Sequence, residues 1–74
     1  MAQVFTDSGS NLLYLRDDGL LFVQLRPRKR AALCTLNVGA RCNFAQTNTV
    51  VSGDVYRVTS TGVILVNWRI EQCR

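Results

Sequence analysis

Short runs of β-branched, aromatic and aliphatic residues recur along this chain, set apart by Gly, Asp, Asn, Ser or Pro. Runs of this length between turn residues predict strands rather than helices. The strongest stretch is 53–70, GDVYRVTSTGVILVNWRI, with runs 54–59 and 63–70 joined by Ser60-Thr61-Gly62. A two-residue Thr61-Gly62 turn places Tyr56 on one face with Val58, Val63 and Leu65. Arg57 then shares the other face with Val55, Val66 and Trp68. Tyr56 reads as a core ring, and Trp68, close to Arg57 and Arg69, as an exposed ring or interface anchor.

Two further hairpins precede it. Residues 12–16 and 20–26 flank Asp18-Gly19, a strong two-residue turn signal because both central positions of a type I′ turn need positive φ. That turn sets Leu15 opposite Phe22 and Tyr14 opposite Val23. Both faces are then largely apolar, as in a strand pair covered on two sides or lying at an interface. Residues 31–36 and 40–45 flank Asn37-Val38-Gly39, where Gly in third place suits a type I turn ending in a left-handed residue. Residues 46–52 read as a polar connector with a short strand or bridge at Val50-Val51. Residues 1–10 read as an extended arm, with Val4-Phe5 as its apolar anchor and turn composition after it. The expected fold is all-β: a small five- or six-stranded barrel or sandwich of three hairpins, residues 11–74, with an N-terminal arm.

Length narrows the functional range. Seventy-four residues form one domain near the lower limit for a self-sufficient core. Such domains are reinforced by disulfides, a metal or assembly with partners. Hydrophobic residues make up 47% and charged residues 19%, a globular balance. No apolar run approaches the roughly 18 residues that cross a membrane as a helix. The opening MAQVFTDSGS has neither a basic nor an apolar signal region, so synthesis in the cytoplasm without a signal peptide is expected.

The net charge of +4 is concentrated: Arg26, Arg28, Lys29 and Arg30 flank Pro27. Guanidinium forks on a Pro-stiffened loop suit phosphate or carboxylate partners. With Arg57 and Arg69 they form a candidate basic contact patch for nucleic acid or an acidic protein surface. Plain solvation of a loop is the third reading. Rings interleaved with arginines (Tyr14, Phe22, Phe44, Tyr56 and Trp68 among Arg16, Arg41, Arg57 and Arg69) fit either a core or stacking platforms.

The three cysteines leave alternatives open. Cys34 falls opposite Cys42 in the second hairpin, which fits a cross-strand disulfide in an oxidising setting. Buried free thiols and a metal shared between chains are the others. With three Cys and no His, one chain cannot complete a standard four-ligand zinc site. No cofactor motif is present, Cys lacks a His base, and the acids Asp7, Asp17, Asp18, Asp54 and Glu71 fall mostly at turns or the tail. A non-catalytic protein is expected.

Two resemblances add to this. The opening MAQVFTDSG resembles the first residues of small structural proteins of tailed bacteriophages. Gly53-Asp54-Val55-Tyr56-Arg57-Val58, followed by Thr61-Gly62-Val63, resembles a Gly-Asp-x-x-x-Val opening of SH3-like and OB-type small barrels. The phage likeness implies a virion accessory subunit of head or tail. The resulting expectation is a small interaction subunit, docked on a larger assembly or on copies of itself. Val4, Phe5, Tyr14 and Trp68 are its candidate interface. The alternatives are a nucleic-acid-binding small barrel using loop 26–30, and a small inhibitor or adaptor of host machinery.

Overall fold

The structure, a computed structural model, describes residues 2–26 and 37–72. They form six strands: β1 (Ala2–Thr6), β2 (Leu12–Leu15), β3 (Leu21–Gln24), β4 (Arg41–Gln46), β5 (Thr49–Val58) and β6 (Gly62–Gln72). All pairings are antiparallel, in the order β1-β2-β3-β6-β5-β4, within one strongly curled half-barrel sheet. The chain is all-β, and its extended N-terminal segment is the outer strand of that sheet. The curl brings the two ends of the strand order together, since Ser8 N–H, just after β1, donates to Ala45 O on β4 (2.8 Å).

The hollow side holds the core. Leu13, Leu21, Val23, Leu25, Cys42, Phe44, Val51, Val55, Val63 and Leu65 are buried there, with Phe5, Ala40, Val58 and Trp68 packed against them. Leu13–Val23–Val63–Val58 and Leu21–Leu65–Val55 are rows of cross-strand neighbours. Each β-strand contributes alternate side chains to such rows, which makes the row the unit of packing.

The first hairpin corrects the expected register. Its turn is the three-residue loop Asp17-Asp18-Gly19, and Leu15 faces Leu21 while Tyr14 faces Phe22. Gly19 alone takes positive φ (85°), its N–H bonds to Arg16 O (3.0 Å), and Asp18 Oδ1 accepts from Leu20 N–H (3.1 Å). Asp18 is thereby spared the left-handed conformation that a type I′ turn demands. The one-residue slip exchanges faces: Leu13, Leu21 and Val23 go inside, Tyr14 and Phe22 outside.

Residues 46–49 are a tight turn rather than a connector. Gln46 pairs with Thr49, and Asn48 takes positive φ (63°), so β5 starts at Thr49. Asn tolerates that conformation, which is why Thr47-Asn48 can act as a two-residue turn. Gly39 also has positive φ (92°), as the Asn37-Val38-Gly39 spacing predicts, and Ala40 N–H closes on Asn37 O (3.0 Å). The strand expected at 31–36 lies outside the described residues.

In the last hairpin the turn is Ser60-Thr61, between Thr59 and Gly62, whose backbones bond at 2.8 Å. Gly62 is the first residue of β6, paired with Gln24, and only Gly fits there because a Cβ would run into the carbonyl oxygen of Val23. Two bulges follow. Tyr56 is the extra residue between the pairs Val55–Leu65 and Arg57–Ile64, and Asn67 with Trp68 lies opposite Gly53. Asn67 takes positive φ (52°) at that second bulge.

The loop from β1 to β2 is locked by a buried polar network. Asp7 Oδ1 accepts from Gly9 N–H (3.0 Å) and Asn11 N–H (2.7 Å), and its Oδ2 from Asn11 Nδ2 (2.9 Å). Asn11, fully buried, accepts on Oδ1 from Arg26 N–H (2.8 Å) and so ties the loop to the end of β3.

Candidate interaction surface

On the face away from the core, Gln3, Tyr14, Phe22, Ile64 and Arg57 are successive cross-strand neighbours. Tyr14 and Phe22 stack with ring centres 6.3 Å apart and planes inclined by 24°. A shallow groove of about 290 Å³ runs beside them, lined by Arg16, Phe22, Thr59, Thr61 and Ile64. The β4–β5–β6 part of the same face is polar. Arg41 bonds Asp54 (2.8 Å) and Ser52 Oγ (3.1 Å), and Asn67 Nδ2 reaches Asp54 Oδ2 at 3.4 Å. The Arg41 hydrogen bond, then that of Asn67, holds the Asp54 carboxyl below its ordinary 3.8.

The bulge at Tyr56 creates the most exposed part of this surface. Tyr56, 52% exposed, stands out of the sheet beside Arg57. Val38, 71% exposed, lies in the turn whose Gly39 N–H bonds Val55 O, one residue before Tyr56 along β5. The expected burial of Tyr56 on the face of Val58 is thus corrected: with one extra residue between them, Val55 and Val58 both face the core, and Tyr56, next to Val55, faces out.

The expected interface residues separate. Val4, the extra residue of a bulge in β1, is 44% exposed on the outer strand. Tyr14 is half-buried on the outer face. Phe5 packs against the core, as does Trp68, whose indole Nε1–H donates to Gly19 O (2.9 Å). Trp68 is therefore a brace between β6 and the β2–β3 turn rather than a free ring.

Of the expected basic patch, Arg26, Arg57 and Arg69 are among the described residues, and they lie on different parts of the sheet. Arg26 Nε–H donates to Ser10 O (3.1 Å), Arg69 pairs with Glu71 (2.5 Å), and Arg57 stands apart on β5. Arg28, Lys29 and Arg30 lie outside the described residues. Cys42 is buried and disulfide-bonded, which replaces the free-thiol reading for this residue; the expected pairing with Cys34 lies outside the described residues. Among the described residues no group of three or more His, Cys, Asp or Glu comes together.

No protein-family profile, curated protein or solved structure matches the chain.

Sequence reading missed Tyr56, Val38 and Ile70 as exposed apolar positions. Val38 carried a signal, because the central residue of a hairpin loop points to solvent. Tyr56 carried none, since nothing in 54–59 announces an extra residue.

Proposed function

We propose that this protein is a non-catalytic interaction subunit that docks onto a larger assembly through the outer face and outer edge of its sheet. One observation carries the reading: Tyr56, an aromatic side chain, is held exposed beside an exposed arginine on a bulge of a well-paired strand. Tyr and Arg are enriched among residues that dominate binding energy, and a bulge next to a binding site re-aims its side chains. Val38, in the turn before β4, and Val4, on the outer strand β1, are further exposed apolar side chains. The likeness of MAQVFTDSG to phage structural proteins supports a virion as the setting.

A nucleic-acid role is the second reading, favoured by the basic run at 26–30. Its weakness is the charge of the described residues, where five arginines stand against five acids. Light scattering after size exclusion, at low and high salt with the 260/280 absorbance ratio, separates the two. Docking predicts a nucleic-acid-free complex that persists in salt and shrinks on Tyr56→Ala or Val4→Lys. Absorbance at 260 nm that elutes with the protein and is lost in salt would favour nucleic acid and overturn docking as the main role.

A further inference from the structure

The charged side chains of the described residues are almost completely partnered. Arg16 pairs with Asp18, Arg41 with Asp54 and Arg69 with Glu71. Asp7 is bound by its loop, and Arg26 by Ser10 O. One cation and one anion are left over: Arg57 on β5 and Asp17 in the β2–β3 turn, both exposed. With strands about 4.8 Å apart and a rise of about 3.3 Å per residue, the two lie on the order of 15 Å apart across the sheet. Within one molecule they cannot meet.

Resting on the docking reading above, we propose that the partner is a second copy of this chain, with Arg57 of one copy paired to Asp17 of the next. The surroundings of both residues suit that contact. Beside Arg57 stands Tyr56, an exposed ring able to serve as an anchor. Beside Asp17 the turn is rigid: Trp68 Nε1–H holds Gly19 O, and Arg16 holds Asp18. The half-buried Leu20 and Trp68 there offer an apolar seat for the ring. Tyr56 supplies most of the affinity by desolvation, and the ion pair fixes orientation and register. Each copy carries both residues, so the contact made about a two-fold axis gives a reciprocal dimer in which Arg57 of each copy meets Asp17 of the other.

Charge reversal tests this on the full chain. Arg57→Asp presents two anionic surfaces and Asp17→Arg two cationic ones. The wild type is expected to form a concentration-dependent oligomer, and each single variant to fall to the 8.3 kDa monomer by sedimentation velocity. An equimolar mixture of the two variants is expected to reassociate, as is the double variant, since both restore opposite charges at every contact. Circular dichroism confirms that each variant is folded. A wild type that stays monomeric at every concentration, an oligomer indifferent to both reversals, or single variants not rescued by mixing would each overturn the pairing. The docking reading has its own readout, the loss of assembly in Tyr56→Ala and Val4→Lys, so an oligomer that responds to those but not to charge reversal refutes only the Arg57–Asp17 contact.

Discussion

Asn11 offers the sharpest test of how the fold is held. Its side chain is fully buried and makes two hydrogen bonds, from Nδ2 to Asp7 Oδ2 and from Arg26 N–H to Oδ1. Asn11→Ala leaves a backbone N–H without its acceptor and removes a charge-assisted bond from a buried carboxylate. An unsatisfied buried group costs about 1–3 kcal/mol and a bond to a charged group contributes about 1.5–3. Water entering the vacated space recovers part of this, so a net loss of about 3 kcal/mol is expected. For a domain with a total stability of about 5 kcal/mol that is most of the margin. Asn11→Asp keeps an acceptor for Arg26 but sets a second carboxylate where the amide lies 2.9 Å from Asp7. Two carboxylates that close cannot both ionise easily, so one is raised in the folded state. A raised group contributes stability at low pH that is lost as pH rises through the folded value, so this variant should approach the wild type in acid and fall behind at neutral pH. Urea unfolding followed by the single tryptophan, Trp68, reads both variants. An Asn11→Ala loss under about 0.5 kcal/mol, or an Asn11→Asp deficit that does not grow with pH, would refute the reasoning.

Other perturbations probe separate parts of the structure. Gly62→Ala should cost about 3 kcal/mol or prevent folding, because the new methyl meets the Val23 carbonyl group, whose carbon would lie 2.8 Å away, as seen by thermal melting. Gly53→Ala should cost less, about 1–2 kcal/mol, since its contacts at 3.0 Å and 3.1 Å are with the Cβ atoms of Trp68 and Leu65. Arg41→Ala should return the Asp54 carboxyl towards 3.8 in an NMR titration. In the wild type the lowered carboxyl stabilises the fold above pH 3.8 and that contribution is lost as pH falls through the folded value, so the two proteins should differ in stability above pH 3.8 and converge in strong acid. Reduction of the Cys42 disulfide should lower stability by about 2–5 kcal/mol, measurable as a drop in Tm with added thiol.

The sequence conveyed the class of fold and several turns, and the reason is local. Gly19 and Gly39 mark turns because their conformations are ones that few other residues adopt. Register was less legible. Asp18-Gly19 satisfies both a two-residue and a three-residue loop, and an alternating hydrophobic pattern normally decides between them. Leu12, Leu13, Tyr14 and Leu15 are all apolar, so the pattern had no preference. Long-range contacts set the site residues. Trp68 looked exposed between polar neighbours, yet it lies over Gly53 and bonds to a turn 49 residues away. Phe5 and Trp68 joined the core because so small a chain has few large side chains with which to fill one.

The placement of Tyr56 and Arg57 follows from the same bulge that bends the sheet. Strict alternation along β5 from a buried Val55 would put Tyr56 outside, Arg57 inside and Val58 outside. Burying the unpaired guanidinium of Arg57 would cost several kcal/mol, and exposing Val58 would remove it from the core it packs against. One extra residue resolves both conflicts: Val55 and Val58 face in, Arg57 faces out, and Tyr56 stands half-exposed on the outer side. Bulges also raise local twist, and those at Val4, Tyr56 and Asn67–Trp68 lie on three of the six strands of a sheet curled far enough for Ser8 to reach Ala45. An exposed aromatic ring and a free guanidinium side by side are thus a consequence of how this sequence closes its core. That makes them a fixed feature of the folded protein, and the docking proposed above would need no further ordering of the backbone there.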